Sequence, residues 1–198
     1  METILEPAQS GRAPRRLIGL LVLLAVLSTG VAAYAWSRGS SPDASEAETV
    51  QDLILGGFKA PDLAPGFEVP TLDGGNFSLA DHFANGGGPV FLNLWASWCP
   101  PCRAEMPAID AATSRHPDVT FVGVAVQDDF QAAEQFAKDI GVSYTIGFDE
   151  SYEVNSLYPS AGLPVTFLIG SDGVVVQALY GQLDESRIDI AIATWLGG

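Results

Sequence analysis

Cysteine, histidine and basic residues are scarce in this 198-residue chain: two, two and nine, against 24 Asp and Glu. Each shortage excludes something. A cross-link stabilises more as the loop it closes lengthens, so Cys99 and Cys102, two residues apart, do not staple the fold. A structural zinc site usually takes four protein ligands. His82 and His116 lie far apart in sequence, and no other cysteine exists. No metal or cofactor is expected. Beyond Arg38 just five basic residues stand against 22 acidic ones. That argues against nucleic acid, whose phosphates need basic surface, and leaves most carboxylates as a solvated surface.

The few basic residues are also unevenly placed. Arg12, Arg15 and Arg16 precede an uncharged apolar run over residues 17–36, and Arg38 follows it. Twenty residues at ~1.5 Å each span ~30 Å, about one bilayer core. The arginines put the N-terminus, 1–16, in the cytoplasm and the rest outside. Tyr34 and Trp36 fall where an interfacial aromatic belt would lie. A cleaved signal peptide is the competing reading, with Ala33-Tyr34-Ala35 as a small-x-small cleavage site. The run exceeds the usual ~7–15-residue signal core, which favours an uncleaved single-pass anchor. No cysteine follows the segment, so a lipoprotein anchor is excluded. Both readings export residues 37–198.

Residues 37–59 are rich in Ser, Asp, Glu, Ala and Gly and read as a linker, with a folded domain over 60–198. The segment from Ala60 to Leu79 reads as a hairpin turning at Asp73-Gly74-Gly75, with Ser78 capping a helical turn through Phe83. Val90–Trp95 is a nearly continuous apolar run, suited to a central strand buried on both faces. A helix follows from about Cys102 to Arg115. Met106, Ile109, Asp110 and Thr113 would share its stripe, and Pro107 should kink it. Further strands are expected at Val119–Val126, Tyr144–Phe148, Val165–Ile169 and Val174–Tyr180, the last two joined by a turn at Ser171-Asp172-Gly173. Helices are expected at Phe130–Ile140, stopped by Gly141, at Ser151–Tyr158, and at Asp184–Leu196. This order implies an α/β fold: a mixed central sheet with helices on both faces.

The thiols sit at a strand–helix junction. If the helix starts near Cys99, its sulfur meets unpaired N–H groups and the positive end of the helix dipole, which lowers a thiol pKa. Cys99 is then the exposed nucleophile and Cys102, one turn further in, the covered resolving thiol. Pro100 and Pro101 remove two donors and stiffen the ring. Trp95 reads as core, Trp98 as surface around Cys99.

The block Phe91-Leu92-Asn93-Leu94-Trp95-Ala96-Ser97-Trp98-Cys99-Pro100-Pro101-Cys102-Arg103-Ala104-Glu105-Met106-Pro107 resembles the active-site block of membrane-anchored extracytoplasmic thioredoxin-like proteins of the TlpA/ResA type. The cytochrome c maturation thioredoxins are near relatives. Ala60-Pro61-Asp62, Gly162-Leu163-Pro164-Val165-Thr166-Phe167-Leu168-Ile169 and Asp172-Gly173 match as well, so the resemblance runs from about Ala60 to the C-terminus.

The resemblance implies a thioredoxin-like fold with an N-terminal β-hairpin extension and a redox-active Cys99–Cys102 disulfide. It implies a cis Leu163–Pro164 peptide facing the cysteines, with the Leu163 backbone placed to pair with a substrate strand. It places Glu105 near the thiols, as a base toward Cys102 or a substrate thiol; the alternative is a solvated helix carboxylate. Cytoplasmic thioredoxins carry a buried Asp at the position of Asn93, and an amide cannot relay that proton. Trp98, Pro100, Pro101, Leu163 and Pro164 would form the substrate-binding surface. The implied activity is thiol–disulfide exchange, mainly as a reductant, with protein disulfides such as apocytochrome c as substrate and a CcdA/DsbD-type membrane transporter as electron donor. Two other readings stay open. One is a peroxiredoxin-like peroxidase, though Ala96 stands where such enzymes usually carry threonine. The other is a non-catalytic module that holds thiol-containing clients.

Overall fold

The computed structural model describes residues 62–197. The expected cytoplasmic segment, anchor and linker (1–59), together with Ala60 and Pro61, lie outside the described residues. Among the described residues no helix is long and apolar enough to cross a membrane.

Among the described residues, eight strands and five helices follow in the order β1 (Asp62–Leu63), β2 (Glu68–Pro70), β3 (Asn76–Ser78), α1 (Leu79–Ala84), β4 (Val90–Trp95), α2 (Pro100–Arg115), β5 (Thr120–Ala125), α3 (Phe130–Ile140), β6 (Thr145–Phe148), α4 (Glu153–Leu157), β7 (Val165–Ile169), β8 (Val174–Tyr180) and α5 (Glu185–Trp195). Six strands form one mixed sheet in the order β1-β8-β7-β4-β5-β6. β4 runs parallel to β5 and antiparallel to β7. Every residue of β4 is buried, as the nearly continuous apolar run suggested. Its side chains alternate between the two faces. Val90, Leu92 and Leu94 join the core beneath α1 and α4, whereas Phe91 and Trp95 join the core shared with α2, α3 and α5. Asn93 has the parity of Phe91 and Trp95 and therefore faces α2.

Two expectations need correction. Asp62 and Leu63 do not belong to a hairpin; they pair with Val175 and Val174 at the edge of the main sheet. The Ala64 N–H extends that contact to the Gly173 carbonyl at 2.8 Å. The antiparallel pair nearby is β2 with β3, closed by the Thr71–Gly75 turn. The buried stripe of α2 is Cys102, Glu105, Met106, Ile109 and Ala112; Asp110 and Thr113 flank it, half-buried. Through Pro107, α2 runs on without a break. Both Pro107 and Arg103, whose carbonyl loses its helical partner there, are exposed, so water can replace the missing bond.

The β2–β3 turn is stitched to the far edge of the sheet. Thr71 bridges Gly147 of β6, and the Leu72 N–H donates to the Ile146 carbonyl at 2.9 Å. This close approach requires glycine at 147: a Cβ there would stand 2.5 Å from Val69 Cγ2.

Candidate active site

Strand β4 ends at Trp95, and α2 begins at Pro100. The four residues between are held at several points. The Cys99 N–H donates to the Ala96 carbonyl at 3.1 Å. Asp128, in the loop after β5, accepts from both the Ser97 backbone N–H and its hydroxyl, the latter at 2.7 Å. The Trp98 indole N–H donates to the Gln127 carbonyl at 3.0 Å. Nothing in the sequence singled out Gln127 or Asp128; their contacts arise because β4 and β5 are parallel neighbours whose C-terminal ends carry both loops.

Cys99 is the N-cap of α2, with Pro100 and Pro101 at the first two helical positions, where a missing N–H costs nothing. Its sulfur accepts from the Cys102 N–H at 3.3 Å, so it occupies the positive end of the helix as the junction predicted. Cys99 and Cys102 form a disulfide. The expectation of an exposed Cys99 is corrected in this oxidised form: Cys99 is 3% exposed and Cys102 fully buried. Cys99 is buried next to its bonded partner Cys102, while the neighbouring Trp98 and Pro100 stand outward. Trp98 is 59% exposed; Trp95 is fully buried and stacks on Phe136 at 5.2 Å. The Arg103 guanidinium lies over the other aromatic partner in that stack, 4.3 Å from the Phe136 ring centre.

Glu105 is not a solvated helix carboxylate. It has no exposed surface, and both oxygens are engaged: Oε1 accepts from Asn93 Nδ2 at 2.9 Å, and Oε2 from the Leu183 N–H at 3.0 Å. Burial pushes its carboxyl up to about 7, against the two hydrogen bonds and the Arg187 charge, which pull it down. A group balanced there exchanges protons near neutrality. It shares the buried face of α2 with Cys102, one turn away.

Asn93 spends its second amide proton on Thr166 Oγ1, at 3.1 Å. Thr166 is its register partner across β4 and β7. Two residues earlier, Leu163–Pro164 is a cis peptide. Pro164 is buried, and Leu163 is packed against the core cluster containing both cysteines. The Pro164 carbonyl accepts from the Gly181 N–H at 2.9 Å, and Gly181 opens the turn that delivers Leu183 to Glu105. Thr166 was visible in the sequence as the one polar residue of an apolar strand. The Leu183 contribution is a backbone N–H, which no side-chain pattern announces.

The two histidines lie elsewhere. His82 Nε2 sits 2.8 Å from the Gly88 carbonyl, and His116 Nε2 sits 2.8 Å from Asp189 Oδ1.

Residues 60–178 match the AhpC/TSA family. The chain belongs to that family. Within it, the similarity is to thiol–disulfide oxidoreductases. ResA of Bacillus subtilis is 35% identical over 128 residues, covering 63% of this chain and 69% of that protein. The interchange protein DsbE of Escherichia coli is 30% identical over 170 residues, covering 85% of each. The crystal structure of a secreted Mycobacterium tuberculosis disulfide oxidoreductase homologous to E. coli DsbE superposes with a TM-score of 0.57, at 27% identity, over 65% of this chain and 95% of that one. This AhpC/TSA member is therefore a thioredoxin-like thiol–disulfide oxidoreductase with Cys99 and Cys102 as its cysteine pair.

Proposed function

We propose that the chain is a membrane-anchored extracytoplasmic reductant of protein disulfides, held by residues 17–36 with its N-terminus in the cytoplasm. One observation carries the chemistry: the Cys99 sulfur caps α2 and accepts the Cys102 N–H. The same placement stabilises a thiolate in the reduced form.

In the forward direction the Cys99 thiolate attacks a substrate disulfide and releases one substrate thiolate. Cys102, losing its proton, then attacks the Cys99 sulfur of the mixed disulfide and releases the second. The substrate gains two electrons, and the domain ends as the Cys99–Cys102 disulfide. Glu105, buried one turn from Cys102 and titrating near neutrality, is the acceptor of the Cys102 proton. Trp98, Pro100 and Pro101 frame the approach to Cys99, and the Leu163 backbone beside cis Pro164 pairs with the extended substrate. Apocytochrome c, with its paired haem-attachment cysteines, is the substrate class, and a CcdA/DsbD-type transporter restores the dithiol. The apolar run at 17–36, the secreted character of the M. tuberculosis relative and the similarity to ResA and DsbE support this setting.

The test is a Cys102→Ser trap in cells with identification of the captured partners, alongside the reduction potential of the pair. Capture of cysteine-pair substrates and of a membrane thiol carrier is expected. A potential near the ~−120 mV of the dedicated oxidants would reject the reductant role. Full biological activity of Cys99→Ser would reject the enzyme in favour of a client-holding module.

A further inference from the structure

We propose that Asn93 and Thr166 are positioning residues for Glu105, fixing its carboxylate on the buried face of α2 and tying it to the Leu163–Pro164 turn. The inference rests on the reading of Glu105 as acceptor of the Cys102 proton.

Asn93 and Thr166 are the polar members of two otherwise apolar, fully buried strands, β4 and β7. An amide in such a place is costly unless bonded. The charged Glu105 carboxylate only accepts, so the amide nitrogen faces it, and its two protons go to Glu105 Oε1 and Thr166 Oγ1. The opposite oxygen, Oε2, is held by Leu183. That turn begins at Gly181, bonded to the Pro164 carbonyl, and Pro164 precedes Thr166 by two residues. The contacts close into a ring: Thr166, Asn93, Glu105, Leu183, Gly181, Pro164 and back along β7. Glu105 cannot rotate without breaking it, and a peptide seated on Leu163 bears on the segment that leads into β7.

Asn93 and Thr166 do not titrate near neutrality, so both act by position. The ionisable groups around Glu105 are few. Arg187 of α5 favours its charged form. Tyr144, beside β6, keeps its proton, held by burial and by the Glu105 and Asp110 charges. Cys102 lies one turn back on α2. Loss of the Thr166 hydroxyl leaves the Asn93 amide free to leave Glu105, so the charged carboxylate loses a donor and holds its proton more tightly.

The experiment uses the full-length protein with Thr166→Val, which keeps the shape and removes the hydroxyl, and Thr166→Ser, which keeps the hydroxyl. Thr166→Ala provides the same loss should valine pack poorly. Each is made with and without Glu105→Gln. Two readouts are taken against pH: the Glu105 carboxyl carbon resonance in reduced protein, and kcat/KM with a disulfide-bridged CxxC peptide. Thr166→Val is expected to raise the Glu105 titration midpoint, and the acid limb of the rate profile, by roughly half a pH unit or more, the equivalent of one hydrogen bond. Thr166→Ser should restore both, and Glu105→Gln should abolish the effect on the rate. An unmoved resonance midpoint, or a rate shift that persists in Glu105→Gln, overturns the proposal. A midpoint that moves while the rate profile stays in place upholds the positioning and removes Glu105 from the proton transfer.

Discussion

The Leu183 N–H donates to Glu105 Oε2 at 3.0 Å, joining the turn before α5 to the middle of α2 across 78 residues of sequence. With Asn93 on the other oxygen, the carboxylate is fully bonded yet fully buried, and its proton affinity is raised to about 7. An unfolded glutamate titrates near ~4.3. Between those values the folded chain holds a proton that the unfolded chain has lost. Stability from this group is thus complete below the lower value and is lost as pH rises through the upper one. Glu105→Gln, always neutral, should match the parent near pH ~4.5 and exceed it by up to roughly 3 kcal/mol near pH ~8. Denaturant midpoints at the two pH values check this; a difference independent of pH would contradict it.

The Ser97–Asp128 clamp fixes the peptide that enters Cys99. Asp128→Ala strands the Ser97 N–H and hydroxyl together, at an expected cost of about 1–3 kcal/mol. Ser97→Ala removes the hydroxyl contact alone and should cost less, about 0.5–1.5 kcal/mol. Urea unfolding of both variants gives the order; equal effects would mean that the backbone contact carries nothing.

The Val69–Gly147 contact predicts a pair of substitutions that compensate. Gly147→Ala brings a methyl against Val69 Cγ2 and should destabilise by about 1–3 kcal/mol. Adding Val69→Ala removes the clashing methyl. The double variant should be more stable than the sum of the singles by about 1 kcal/mol, measured as a double-mutant cycle.

Peroxide turnover is expected to be absent. The position three residues before Cys99 is Ala96, buried and without a hydroxyl to orient a peroxide oxygen. A coupled assay of reduced protein with hydrogen peroxide tests this, and robust multiple turnover would restore the peroxidase reading.

The elements of the domain were legible in the sequence because each follows a local rule. Ser78, Asp129 and Asp184 cap α1, α3 and α5 through their own side chains. Gly141 ends α3, and the nearly continuous apolar run Val90–Trp95 suited a strand covered on both faces. The cysteine pair was legible for the same reason, since its helix-capping position depends on neighbours within four residues. The stripe of α2 was misjudged. Glu105, three residues after Cys102, could share its helix face or stand as a solvated carboxylate, and the sheet behind it decides for the buried face.

By itself the sequence determined the strand–CxxC–helix unit, the helix-capping position of Cys99 and the acidic, base-poor character of the chain. Those are consequences of short-range bonding and composition. The tertiary structure alone decided what Glu105 is. Asn93, Thr166 and Leu183 come from three separate stretches of chain, and they meet only because β4 and β7 are paired in register and the turn before α5 folds back onto α2. Burial by distant elements raises the carboxyl, distant donors hold it, and neither effect has a signature in the residues on either side of it.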